Sequence, residues 1–146
     1  MPLTSAQHGY YRVEMRPPML IVTIAEGINR ELVEQYQDEV AQLIPQLAGA
    51  PWGVYLRIEG DVLMTPEATA ALIATTRQHV ALGRCATAIR LIHPGASALL
   101  HSFWSNIYLS SGIRCHFCAS DNEAEHWLST QISHAGEAAG IDSMAR

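Results

Sequence analysis

The sequence predicts an α/β fold: a mostly parallel five-stranded sheet with an antiparallel first strand, and four helices. Three observations lead there. Short segments with strand periodicity alternate with helix-period segments of about 14 to 18 residues. Connections of that length suit right-handed crossovers between parallel strands. The first two strand segments, by contrast, are separated only by Pro17-Pro18 and read as a hairpin.

Each element has a local reason. Tyr11, Val13 and Met15 alternate with Arg12, Glu14 and Arg16, the period of a strand with one wetted face. Pro17 and Pro18 offer no backbone N–H and break the ladder, and Met19 to Ile24 then runs almost unbroken apolar. From Asn29 the period lengthens. Leu32, Val33, Tyr36, Val40, Leu43, Ile44 and Leu47 share an arc of about 120°, with Asn29 as N-cap and Glu31 in the first turn. Pro45 lies inside that stripe, so the helix kinks there or ends about a turn early.

Trp52 to Glu59 is the third strand. Thr65-Pro66-Glu67 opens a second helix, Pro66 to about Leu82, whose face of Ala68, Ala71, Leu72 and Thr75 permits close approach to a sheet; Gly83 ends it. Cys85 to His93 is the fourth strand, closed by Pro94-Gly95. A third helix runs from about Ala96 to Ser111 and stops at Gly112, and Ile113 to Ala119 is the fifth strand. Ser120-Asp121 opens a fourth helix through Glu123, Trp127 and Leu128.

At 146 residues, 49% hydrophobic and 16% charged, the chain has the size of one domain and too much apolar content for disorder. Residues 1–9 and 133–146 are small, polar and aperiodic, so a single domain over 10–132 with flexible tails at both ends is expected. A formal charge of -5, with nine unclustered Lys and Arg, argues against nucleic acid as a partner. An odd count of three cysteines disfavours a disulfide framework. With no signal-like N-terminus and no apolar run near the roughly 20 residues of a membrane span, a cytoplasmic protein without a transmembrane segment is expected.

Parallel strands bring their carboxyl ends to one rim, where open α/β sheets place ligands. Glu26, Glu59, Asp61, His93 and Asp121 fall there as a strand-end polar site, Glu59 beside His93 being the pair suited to acid/base work or a divalent ion. No nucleophile elbow, Gly-rich phosphate loop or HExxH motif is present, so neither catalytic residues nor a cofactor are expected. Cys115-His116-Phe117-Cys118 has C-x-x-C spacing, but on a strand residues three apart point to opposite faces; structural thiols and no metal site are the expectation. His79 lies near the C-terminal turn of its helix, where positive charge is welcome, and His126 reads as surface. In the third helix, Leu99, Leu100, Phe103, Trp104, Ile107 and Tyr108 spread over about 180°. That width fits deep burial, a homodimer interface, or an apolar ligand or lipid groove.

Ala88-Ile89-Arg90-Leu91-Ile92, and Ser120 to Leu128 with its acidic start, Glu-Ala and Trp-Leu, together with the strand order, resemble the STAS-like fold of sporulation anti-anti-sigma factors, the SpoIIAA-like proteins. They resemble more closely the short bacterial STAS/Sec14-like proteins. Regulatory members of that family carry a phosphorylatable serine between the third strand and second helix; here Glu59 to Pro66 lacks the serine motif, and Thr65 is the sole hydroxyl that could take its place or merely cap the helix. The missing catalytic motifs and the broad apolar arc of the third helix point to a non-enzymatic STAS-like regulatory or interaction module that binds a protein partner or a second copy through Leu100, Phe103, Trp104, Ile107 and Tyr108. The alternative is a carrier of a small apolar molecule or lipid using the same face, and a third reading is an enzyme built on Glu59, Asp61 and His93.

Overall fold

A computed structural model describes residues 9–144. Five strands, β1 (Gly9–Arg16), β2 (Met19–Glu26), β3 (Trp52–Glu59), β4 (Arg84–Ile92) and β5 (Arg114–Phe117), form one sheet in the order β1-β2-β3-β4-β5. β1 pairs antiparallel with β2 and every other pairing is parallel. The helices are α1 (Arg30–Leu43), α2 (Pro66–Ala81), α3 (Ser97–Ser111) and α4 (Asp121–Met144). Four helices around a mixed sheet with one antiparallel strand is the architecture the sequence predicts.

The caps work as read. Asn29 accepts from Leu32 N at 2.9 Å and Thr65 accepts from Ala68 N at 3.1 Å, while Gly112 closes α3 in the left-handed region at φ 73. Pro45 converts the end of the first helical stripe into a separate 3-10 turn, Ile44–Gln46, which keeps Ile44 and Leu47 buried beside Leu32, Val33, Tyr36 and Val40.

Strand alternation divides the core in two. On one face, Leu20, Val22 and Ile24, then Val54, Leu56 and Ile58, then Ile89 pack under α1, α2 and α3. On the other, Ile21, Tyr55, Ala86 and Ala88 meet Ala124 and Leu128 of α4. Gly53 makes that second contact close: a Cβ there would stand 2.8 Å from Leu128 Cδ2. Because β2 to β5 follow one another without reversal, right-handed crossovers put all three connecting helices on the same side, and only the terminal α4 covers the other.

Two sequence expectations change. β5 spans only Arg114–Phe117 instead of Ile113 to Ala119, since it pairs with β4 alone; Cys118 still donates its N–H to Ile89 O at 2.7 Å. The flexible tail expected over 133–146 is helical through Met144, as α4 runs 24 residues. Ala135, Ala138 and Ala139 are strong helix formers, and their small side chains had erased the apolar stripe that marks a helix. The tail expected over 1–9 lies outside the described residues except for Gly9, which begins β1. No described helix is long and apolar enough to cross a membrane.

Candidate functional site

The strand-end rim does not assemble as one site. Ligand crevices in open α/β sheets form where the strand order reverses, and this order never reverses. Glu59, Asp61 and Asp121 instead make local structural bonds, while Glu26 and His93 are exposed. Glu59 accepts a hydrogen bond from the Tyr10 hydroxyl, whereas His93 is exposed at φ 50, and no hydrogen bond or ion pair joins the two among the described residues. Asp61 Oδ1 accepts from Gly95 N at 2.7 Å and Ala96 N at 3.1 Å. It caps α3, whose own N-cap, Ala96, has no side chain able to do so.

Asp121 accepts from the Tyr55 hydroxyl and from Arg90 at 2.8 Å, with Arg57 at 3.8 Å. The Tyr55 bond and then the two arginines hold its carboxyl below the ordinary range. Glu26 is exposed at φ 61, at the end of β2. Thr65 spends its oxygen on the α2 cap.

The third-helix expectation also changes. Leu100 and Trp104 are 0% exposed and Ile107 and Tyr108 2%, so their wide arc is filled by the sheet side, α2 and β5. Phe103 is half-buried against Trp104, and the Trp104 indole donates to Val62 O at 3.1 Å. An interface made of these five residues is therefore absent from the surface; what α3 exposes is Leu99 and Leu109.

Trp104 and Tyr108 do line a cavity of about 40 Å³ between the sheet and the three crossover helices. Its wall is apolar, including Val22, Val54 and Leu56, and half-buried Tyr11, Met64 and Leu72 stand at its edge. The Tyr11 hydroxyl donates to Glu39 of α1 at 3.0 Å; burial and then that carboxylate push its pKa up to about 12, so it stays a donor.

One cavity residue is out of keeping with the rest. Arg84 is 3% exposed. Its Nη2 donates to Thr87 Oγ1 at 2.8 Å, its Nη1 lies 3.3 Å from His79 Nδ1, and its guanidinium carbon is 5.7 Å from the centre of the Tyr108 ring. Its Nε has no hydrogen-bond partner, and no ion pair among the described residues includes it.

The register explains how the arginine got inside. Trp52 pairs with Arg84 but Gly53 pairs with Ala86, so β4 carries one extra residue at this step. Without that bulge Arg84 would share the α4 face with Ala86; with it, Arg84 reaches Thr87 on the opposite face.

His79, beside Arg84, is 4% exposed, with its ring near Trp52 and Tyr36. Burial first, and Arg84 second, lower its pKa from 6.5 to about 3. Arg84 can only donate, so the facing Nδ1 accepts and the proton sits on Nε2. This overturns the sequence expectation of a helix-end histidine that welcomes charge. The local sequence marked His79 only as a helix-end histidine and did not mark Arg84; the two meet five residues apart, across the helix-to-strand turn at Gly83.

No family model matches this chain, and no curated protein does. A solved structure does: an uncharacterized protein of the DUF3478 family with a SpoIIAA-like fold from Shewanella loihica PV-4, at TM-score 0.52 and 16% identity over 87% of this chain and 99% of that one. The fold is SpoIIAA-like. Its five-stranded mixed sheet and four helices are therefore the STAS architecture that Ala88 to Ile92 and Ser120 to Leu128 resemble.

Proposed function

We propose that this SpoIIAA-like protein is a non-enzymatic binding module that takes a small monocarboxylate with a short apolar tail into the cavity between sheet and helices. One observation carries the reading: Arg84, a permanent cation, is buried in an apolar wall with no carboxylate among the described residues to neutralise it. An uncompensated buried charge costs several kcal/mol, and a ligand anion removes that cost on arrival. A single negative charge matches a single guanidinium, and a carboxylate oxygen can accept from the free Nε. A phosphate dianion would bring an extra charge into a cavity with no second cation to meet it.

The cavity holds two or three atoms' worth of ligand as it stands; roughly 300 Å³ is needed for larger molecules. Acetate, with four heavy atoms, already presses on the Tyr11, Met64 and Leu72 edge, and a longer tail displaces it further. The protein-partner reading loses its principal support with the burial of Trp104 and Tyr108. The structural bonds of Glu59, Asp61 and Asp121 support a reading without catalysis.

The test is calorimetric titration with acetate, butyrate and hexanoate against the matching alcohols. Each acid is expected to bind at least about tenfold tighter than its alcohol, a difference of about 1.4 kcal/mol. Arg84→Met, which keeps the bulk, should erase that preference while circular dichroism stays unchanged. Equal binding of acids and alcohols, or no binding by any member, overturns the proposal.

A further inference from the structure

On the opposite face of the sheet, away from Arg84, His116, Cys118 and Glu123 converge. Their ligating atoms (imidazole nitrogen, Sγ and carboxylate oxygen) all lie within 4.8 Å of one another, with His116 Nε2 3.8 Å from Glu123 Oε2. We propose that these three residues form a site for one borderline-soft divalent cation, of which zinc is the type.

The local chain dictates the convergence. His116 and Cys118 are two apart along extended chain, so both point to the α4 face, whereas Cys115 points into the other core. The C-x-x-C spacing is thus irrelevant, and the H-x-C inside it is the pair that matters. α4 begins three residues after Cys118. Ser120 Oγ accepts from Glu123 N at 3.1 Å, which fixes the first turn and brings Glu123 back over the end of β5. One turn further on, Trp127 stacks on the His116 ring at 5.2 Å between centroids and 25° between planes, which holds the imidazole in place.

The donor set selects the ion. A thiolate and an imidazole favour zinc or cobalt over magnesium or calcium, which prefer all-oxygen shells. Bonds of about 2.0 to 2.3 Å in a tetrahedron place ligand atoms roughly 3.3 to 3.8 Å apart. Cys118 is 7% exposed and the His116 ring is held by Trp127, so the adjustment falls to Glu123, whose side chain is 47% exposed. Binding forms the metal–sulfur bond and breaks the S–H bond, whose proton leaves to solvent. Three protein ligands leave the fourth position to water.

The experiment uses untagged full chain stripped with a chelator, then titrated with zinc against a chromophoric competitor and, separately, with cobalt. One equivalent of each should bind, cobalt with the sulfur-to-metal charge-transfer band of a thiolate ligand, and excess magnesium should not compete. Cys118→Ser and His116→Ala should weaken zinc at least about 100-fold and Glu123→Gln about tenfold or more, while Cys115→Ser and Cys85→Ser leave it unchanged. The cobalt band reads the wild type directly, so a variant that fails to fold does not decide the matter. Absence of a stoichiometric ion from the wild type, or wild-type affinity in Cys118→Ser, overturns the proposal. Either result leaves the Arg84 cavity reading untouched, since no residue is shared.

Discussion

His79 makes stability depend on pH because its buried imidazole resists the proton that the unfolded chain takes up. Its pKa is about 3 in the folded chain and near 6.5 when unfolded. The folded value is depressed, so below pH 6.5 the unfolded state takes up a proton that the folded state refuses. Stability is complete above that pH and falls as pH falls, by about 1.36 kcal/mol per unit until pH 3. Between pH 7.5 and 5.0 the loss from this one residue is about 2 kcal/mol, or roughly 4 to 8 °C in Tm for a chain of this size.

The groups facing the ring do not blur that window. Arg84 keeps its charge throughout. Burial raises the Tyr36 and Tyr108 hydroxyls above their ordinary range, with Arg84 offsetting part of the rise, so both stay neutral. The assay is urea denaturation at intervals from pH 7.5 to 5.0 for wild type and His79→Asn, which retains an acceptor for Arg84. The wild-type curve should drop about 2 kcal/mol more than the variant's. Parallel curves would falsify the buried neutral imidazole, whatever the variant's absolute stability.

Arg84→Met should leave stability unchanged or raise it by about 1 to 4 kcal/mol, as removal of a buried charge does, and thermal melts would show it; a large destabilisation would mean that the arginine serves the fold instead of a ligand. Trp104→Ala should cost about 3 to 5 kcal/mol in denaturant titration, and Leu109→Ser, on the same helix but 78% exposed, under about 0.5; the reverse pattern would return the α3 aromatics to the surface. Asp61→Ala should cost about 1 kcal/mol by loss of the α3 cap, with hydrogen exchange rising first at the start of that helix.

The parts of this fold legible in the sequence are those fixed by neighbours. Asn29 and Thr65 cap helices within three residues of themselves, Pro45 blocks its own turn, and strand alternation needs only adjacent residues. For α3 the sequence left deep burial, a dimer interface and an apolar groove open, because an apolar arc of about 180° reports how much of a helix is covered, not what covers it. Asp61 was read as chemistry because its partners, Gly95 and Ala96, are 34 and 35 residues away. Of the two candidate sites, the proposed cation site was half visible. His116 and Cys118 share a face by strand period alone, but Glu123 joins them only through the turn that Ser120 closes.

Arg84 shows why the other site was hidden. In strict alternation it belongs on the α4 face, beside Ala86, where a charged side chain at the start of a strand can reach water. One additional residue opposite Trp52 moves it through the sheet, and the same step brings Thr87, three positions away, within 2.8 Å of it. A bulge has no residue signature of its own, so periodicity read back from Ala86 puts both Arg84 and Cys85 on the wrong faces. Bulges recur where a side chain must be re-aimed. Here the re-aimed group is a cation, set where its hydration is lost and no carboxylate replaces it. That cost is the reason for proposing an anion from outside the chain as the partner of Arg84.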